Sequence, residues 1–126
     1  MMIKESLSIL FDIIKKMFVY RGRSNNKEYL VFTVFEFLIF TPLLIIEKKY
    51  GRTDLLNIVV ILCVTIYLFS HCALTIRRLH DCNLKGWWYL LNFIFSPFVF
   101  ILLCFIKGNK GENRYGKEPT TNKETS

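Results

Sequence analysis

Three polar side chains lie inside stretches that are otherwise apolar, and they are the first candidates for chemistry: Glu36, His71 and Asn92. A carboxyl group and an imidazole can exchange protons, whereas an amide can only form hydrogen bonds. If each stretch is a helix that rises about 1.5 Å per residue, all three side chains lie roughly 7–10 Å from one common end of the helices. The spacing therefore predicts a polar layer in which Glu36 faces His71 or Arg77, with Asn92 nearby. Such a layer either only fixes the packing of the helices or serves as a proton or cation relay.

A second group of candidates is basic and flanks the same apolar stretches. Its members are Arg21, Arg23, Lys27, Arg77 and Arg78. Asp81 follows Arg77 by four residues and Arg78 by three, so its carboxylate can pair with either one along a helix. One interpretation is that these cations stabilise a helix end and extend towards water. The other is a cluster of positive charge that binds anionic lipid headgroups or an acidic patch on a partner protein.

Two short motifs lie outside the apolar stretches. The loop motif, before the third stretch, consists of His80, Asp81, Gly86 and Trp87. The tail motif consists of Asn113, Arg114, Tyr115 and Gly116. Trp87 is expected to anchor the third stretch at a membrane–water interface, which is the position that indole rings favour. The tail motif is polar and turn-rich, and we predict that it docks onto the end of the helix bundle through Tyr115 and Arg114.

Neither a metal site nor an enzyme active site is predicted. The four cysteines form no Cys-x-x-Cys pair, and His71, His80 and Cys82 lack the spacing of metal ligands. The chain also lacks a glycine-rich phosphate loop, a nucleophile elbow and a metalloprotease helix. We therefore expect no cofactor and no catalysis. The net charge of +7 is explained by basic residues that flank apolar stretches, so nucleic acid is not an expected partner.

The composition decides which elements must position these residues. Of the 126 residues, 52% are hydrophobic and 12 are Phe, which is more than a soluble domain of this size can bury. Three apolar stretches lie at residues 29–46, 55–76 and 87–106. As helices they are roughly 27, 33 and 30 Å long, against a bilayer hydrocarbon core about 30 Å thick. The sequence therefore predicts an all-α membrane protein with three transmembrane helices in a single domain, residues 1–126.

The two ends of the chain are more polar than the apolar stretches. Residues 3–18 place apolar and charged side chains on opposite faces of a helix, so an amphipathic helix in the headgroup region is expected. The alternative is that this helix packs against the bundle or against another subunit. Residues 107–126 form a polar tail with several glycines. The tail is expected to be disordered after about residue 120.

The orientation in the membrane depends on the third stretch, because Pro97 lies in its middle. A kinked full span is favoured, since a turn exposed to lipid at that depth is costly. The alternative is a re-entrant hairpin, which would leave fourteen Lys and Arg residues on the side of the N-terminus and three in the first loop. In both cases we expect the N-terminus and the second loop to be cytoplasmic.

Three patches of the chain together resemble one bacterial family. They comprise residues 22–24 with 27–29, residues 76–81 with 86–88, and Gly108, Gly111, residues 113–116 and Pro119. In this order and spacing they resemble domain-of-unknown-function family 805, the YhaH/YhaI-like inner-membrane proteins, over about residues 20–119. Asn25, Asn26 and Leu30 depart from the family's pattern, as do Ser70 and His71. The resemblance implies a small multi-span inner-membrane protein, and it implies no activity, substrate or catalytic residue.

The sequence thus favours a non-enzymatic integral protein of the bacterial inner membrane that acts through contacts with protein or anionic lipid. Its expected role is that of an accessory, scaffold or regulatory component. Because three helices bury little surface by themselves, it is expected to form a homo-oligomer or to bind an unidentified membrane partner. The alternative is a small transporter or channel component that uses Glu36, His71 and Asn92, and it would also require an oligomer.

Overall fold

The computed structural model describes residues 2–95 and 98–119. Among these residues the regular elements are helices, apart from one isolated antiparallel bridge between Asn113 and Gly116. The elements are α1 (Met2–Lys15), α2 (Asn26–Tyr50), α3 (Asp54–Asp81), a 3-10 helix (Gly86–Leu90), α4 (Leu91–Phe95) and α5 (Phe98–Phe105). The all-helical class predicted from the composition is confirmed.

Helices α2 and α3 form an antiparallel pair because the connection between them is only three residues long. The Asn25 side chain caps α2 by accepting a hydrogen bond from the Glu28 amide at 2.8 Å. Gly51 ends α2 with φ +76°, a conformation that glycine adopts without steric cost. Thr53 then caps α3 through a 3.2 Å hydrogen bond from the Leu56 amide. In the described part of the chain, α2 and α3 are the helices long and apolar enough to cross a membrane.

Burial is concentrated at the end of this pair where α2 begins and α3 ends. The core there contains Tyr29 and Phe32 from α2 and Leu74 and Leu79 from α3. Towards the opposite end the large apolar side chains are exposed, and Leu55 at 72% is an example. Exposed apolar surface of this extent is unfavourable in water, whereas lipid solvates it. The two helices are therefore candidates for membrane spans.

Helix α1 packs across α2 and α3 at the buried end. Ile9, Leu10 and Ile13 lie in the core, while Phe11 and Lys15 on other faces are exposed. The helix ends at Lys15, three residues before the end predicted from the sequence, and a turn follows it. An ion pair between Glu5 and Lys27 also joins α1 to the start of α2.

The third apolar stretch is divided into short helices, and the full span that the sequence favoured is not confirmed. It comprises the 3-10 helix, α4 and α5, and its longest element, α5, has eight residues, or about 12 Å of helix. Gly86, before the stretch, lies against Ile76 near the end of α3. Leu103, near its other end, accepts a 3.0 Å hydrogen bond from Arg78 Nε of the same helix end. The stretch therefore starts and finishes at the same end of α3, as in the re-entrant alternative.

The third stretch returns to this end of α3 because α5 packs on α2 and α3, while α4 and α5 also contact each other. Residues 96 and 97, on which the kink or turn was predicted, lie outside the described residues, as does the predicted disorder after about residue 120.

Candidate functional site

A buried cluster of charge lies at the C-terminal end of α3. The Asp81 carboxylate accepts a 2.9 Å hydrogen bond from Arg23 Nε through Oδ1 and forms an ion pair with Arg78 through Oδ2. The Arg23, Arg78 and Asp81 side chains are 1%, 0% and 5% exposed. We call these three residues the arginine–aspartate cluster. Two guanidinium groups share one carboxylate, so the remaining N–H groups need further acceptors.

Backbone carbonyls from distant parts of the chain supply these acceptors. Arg78 donates to the carbonyl oxygens of Leu103 and Ile106 at the end of α5, where the helix carbonyls have no partner within the helix. Arg23 donates to the carbonyl oxygen of Gly111 at 2.6 Å and to that of Asn109. The cluster therefore fastens the end of α5 and the start of the tail to α3.

Arg77 fastens a different segment to the same helix end. Its Nε donates to Ser24 Oγ at 3.1 Å, and its Nη1 donates to the carbonyl oxygens of Lys16 and Val19 at 2.9 Å each. The Ser24 amide in turn donates to the Arg77 carbonyl oxygen at 3.1 Å. Arg77 thus holds the connection between α1 and α2 against α3.

The tail motif packs on the loop that follows α3. The Tyr115 ring stacks on the His80 ring with centroids 3.9 Å apart and planes 6° apart. Asn113 Nδ2 donates to the His80 carbonyl oxygen at 2.9 Å, and Arg114 Nε donates to Asn83 Oδ1 at 3.1 Å. Gly116, at φ +131°, completes a turn through two 3.0 Å backbone hydrogen bonds with Asn113. The structure thus places Tyr115 and Arg114 at the end of the bundle.

The other residues of the loop motif lie around this contact. His80 Nδ1 lies 3.2 Å from the Gly22 carbonyl oxygen, and a Cβ atom on Gly86 would lie 3.0 Å from Ile76 Cγ2. Trp87 is exposed and stacks on Trp88 with centroids 4.9 Å apart.

The five basic candidates divide into two groups. Arg23, Arg77 and Arg78 are internal, and their guanidinium groups bind the chain itself. Arg21 and Lys27 are exposed. The expected lipid- or partner-binding cluster is therefore reduced to its two exposed members, because the buried guanidinium groups are already occupied by carbonyl and carboxylate oxygens.

The three polar candidates of the apolar stretches have different neighbours. The Glu36 carboxyl interacts with the Tyr67 hydroxyl. The buried His71 ring lies 5.3 Å from the Tyr67 ring, and its Nδ1 is 3.5 Å from the Tyr89 hydroxyl. Asn92 Oδ1 is buried and has no hydrogen-bond partner within residues 2–95 and 98–119. The pairing of Glu36 with Arg77 is not found, because Arg77 donates to the segment between α1 and α2 instead.

Sequence reasoning missed Tyr67, although a signal for it existed. Tyr67 precedes His71 by four residues, so the two side chains share one face of α3. Ser24 and Gly108 were noticed only as parts of the family resemblance, and neither was predicted to contact α3.

A thiol, but no metal centre, accompanies these groups in the described part of the chain. Burial raises the pKa of the Cys82 thiol, next to the cluster, so the thiol stays protonated at neutral pH. Among residues 2–95 and 98–119 there is no group of three His, Cys, Asp or Glu side chains that could hold a metal ion.

Two long apolar helices, fastened at one end by buried arginines, define a small helical protein of the membrane class. The family model "Protein of unknown function (DUF805)" matches residues 17–117, and the chain belongs to this family. The predicted resemblance is therefore confirmed. The chain is 33% identical over 113 residues to inner membrane protein YhaI of Escherichia coli, covering 86% of this chain and 92% of the relative. It is 30% identical over 113 residues to inner membrane protein YhaH of Escherichia coli, covering 85% and 92%. No solved structure matches.

The names of these relatives give a location and no activity. The three patches that carry the family resemblance are far apart in the sequence, yet the structure brings them together at the end of α3. Arg23 comes from the first patch, Asp81 from the second and Gly108 from the third. The patches on which the resemblance was recognised therefore meet at the junction at the end of α3.

Proposed function

We propose that this protein is a non-enzymatic, integral component of the bacterial inner membrane that acts through contacts with other proteins or with anionic lipids. The observation that carries this proposal is the division of the charges at the end of α3. The guanidinium groups of Arg23, Arg77 and Arg78 bind groups of the chain itself. The surrounding lysines and Arg21 are exposed on the surface. The result is a rigid junction with a basic rim, an arrangement suited to an accessory, scaffold or regulatory role.

The proposed topology has two full spans, α2 and α3, and a re-entrant third stretch. The N-terminal segment, the second loop and the tail then share one side of the membrane, with fourteen of the 17 Lys and Arg residues. The first loop has the other three. Since cytoplasmic loops carry the excess of Lys and Arg, that side is the cytoplasm, and α1 lies in its headgroup layer.

Cysteine labelling tests this topology. In a background where the four native cysteines are replaced by Ala, we expect a membrane-impermeant maleimide to label Tyr50→Cys in intact spheroplasts. Lys117→Cys should react only after the membrane is broken, because the tail shares the side of the N-terminus. Both positions are exposed on the protein, so access depends on the membrane alone. Labelling of both Tyr50→Cys and Lys117→Cys in intact spheroplasts would contradict the re-entrant topology and support a third full span.

The proposed lipid-contact surface is the exposed basic rim on α1, on the segment that follows it and at the start of α2. Lys15, Lys16, Arg21 and Lys27 are exposed there, next to the exposed apolar side chain of Phe18. A basic residue near an anionic membrane surface contributes about 1 kcal/mol, and an apolar neighbour adds insertion into the interface.

Two matched pairs of lysines test the lipid contact. We expect Lys15→Gln with Lys16→Gln to weaken phosphatidylglycerol binding by about 2 kcal/mol, since two interfacial charges are removed. Lys48→Gln with Lys49→Gln removes the same charge at the other end of α2 and should leave binding nearly unchanged. The measurement is a lipid titration by native mass spectrometry from a mild detergent. An equal loss in both double variants would show non-specific charge attraction and contradict a lipid-binding rim.

A second candidate function is a transporter or channel component built around Glu36, His71 and Asn92. One observation favours it: Glu36 Oε2 and Asn92 Oδ1 are buried without hydrogen-bond partners among the described residues. Three helices do not readily enclose a pore, so this function requires a homo-oligomer or another membrane subunit.

A further inference from the structure

A cavity lies between α1, α2 and α3, away from the arginine–aspartate cluster. Its volume is about 220 Å³, and its walls are mostly apolar. Four of the lining residues are aromatic: Phe32, Phe35, Phe40 and Tyr67. Leu10 and Ile14 of α1 line it from one side. A cavity of about 150 Å³ accommodates benzene, so this one has room for a single ring with a small substituent.

This cavity contains two buried polar atoms. Glu36 Oε2 and Ser70 Oγ are buried, and neither has a hydrogen-bond partner among residues 2–95 and 98–119. Ser70 is only 1% exposed, and both residues line the cavity. An unsatisfied buried polar atom costs about 1–3 kcal/mol, and more when the group is charged. A ligand that brings positive charge or a donor to Glu36 would remove this cost.

The surroundings favour an organic cation as that ligand. The described residues that line the cavity include no Lys or Arg, so Glu36 has no basic partner there. The faces of aromatic rings attract cations, and the attraction is strongest where water is excluded. A divalent metal ion fits poorly, because one carboxyl and one hydroxyl fall short of the six or more oxygen ligands that calcium takes. The Glu36 carboxyl also interacts with the Tyr67 hydroxyl.

We propose that this cavity binds a lipophilic organic cation, with the Glu36 carboxyl as its counter-ion and the four aromatic side chains around its apolar part. The ligand class is an ammonium group that carries one aromatic ring or a short branched alkyl chain. This site goes beyond the proposed contact function, because it lies on a different part of the fold and uses none of the basic rim.

A pair of probes with the same shape tests the proposal. Benzyltrimethylammonium is the cation, and neopentylbenzene is its uncharged isostere. We expect the full-length protein in lipid nanodiscs to bind the cation at least tenfold more tightly than the isostere in equilibrium dialysis. Glu36→Gln should weaken binding of the cation at least tenfold and leave the isostere unaffected. Glu47→Gln, the same substitution further along α2, should change neither.

Three outcomes would overturn the proposal. They are equal binding of the two probes, unchanged binding of the cation to Glu36→Gln, and the absence of saturable binding of the cation. If Glu36→Gln does not fold, as judged by circular dichroism and gel filtration, the Phe40→Leu variant tests the site instead. The Phe40 ring lies 5.3 Å from the Tyr67 ring. Its removal should weaken binding of the cation severalfold and that of the isostere less, because only the cation also gains from the face of the ring. Unchanged binding of the cation would then reject the site.

Discussion

Replacing Asp81 by Asn is expected to lower the free energy of unfolding by about 3–5 kcal/mol, the usual result of removing one partner from a buried ion pair. The substitution keeps the shape of the side chain and removes its charge. Arg23 and Arg78 would then be two buried cations without a counter-ion, because both pair with this carboxylate. The measurement is a titration with sodium dodecyl sulfate in mixed micelles, followed by circular dichroism.

An exposed ion pair provides the control for this loss. Glu47 Oε1 lies 2.6 Å from Arg52 Nε, and the Arg52 side chain is exposed. Exposed pairs contribute about 0–1 kcal/mol, so Glu47→Gln should have a small effect. Adding Arg23→Gln to Asp81→Asn should cost less than the two single losses combined, because the carboxylate and the guanidinium act as one unit. A loss below 1 kcal/mol for Asp81→Asn would mean that the cluster does not hold the fold together.

The two long helices could be predicted from the sequence, whereas the third stretch could not. A long and mainly apolar run in lipid must satisfy its backbone within the segment, which predicts helices over residues 29–46 and 55–76. Apolarity alone does not tell whether a run crosses the bilayer or returns. The hydrogen bond from Arg78 to the Leu103 carbonyl oxygen shows the return of the third stretch. The two residues are 25 positions apart, and the spacing of apolar residues does not predict such a contact.

The candidate site was predictable only where its contacts are local. The spacing of Arg78 and Asp81 places them on one helix face, and they do pair. The partnership of Arg23 with Asp81 spans 58 residues and depends on how the N-terminal segment folds back. In a sequence, a buried arginine and an exposed one such as Arg21 look alike, since burial is a property of packing.

The polar layer illustrates the same limit. Glu36 is easy to find because a carboxyl group in an apolar run stands out. Its neighbour Tyr67 does not stand out, because a tyrosine counts among the apolar residues of such a run. The structure was needed to bring the carboxyl and the hydroxyl together.

Replacing Gly108 by Ala is expected to detach the tail from α3 and to lower the free energy of unfolding by about 3 kcal/mol, the upper part of the range for overpacking. A Cβ atom at this position would lie 2.7 Å from Asp81 Oδ1 and closer still to Oδ2. Asp81 cannot rotate away without losing Arg23 or Arg78, so the tail must move instead. The cost is steric, since Gly108 is not among the glycines with positive φ.

Limited trypsin digestion measures this detachment directly, because the tail contains Lys110, Arg114 and Lys117. Local opening that becomes about 1.4 kcal/mol easier raises the cleavage rate tenfold, so Gly108→Ala should be cut in the tail at least tenfold faster. Asn109→Ala is the matched control, because the Asn109 side chain is exposed while its backbone N–H and C=O bind Asp81 and Arg23. That variant keeps both backbone contacts and should be cut at the rate of the unmodified protein. Equal cleavage of Gly108→Ala and Asn109→Ala would show that the space beside the Asp81 carboxylate is not what holds the tail in place.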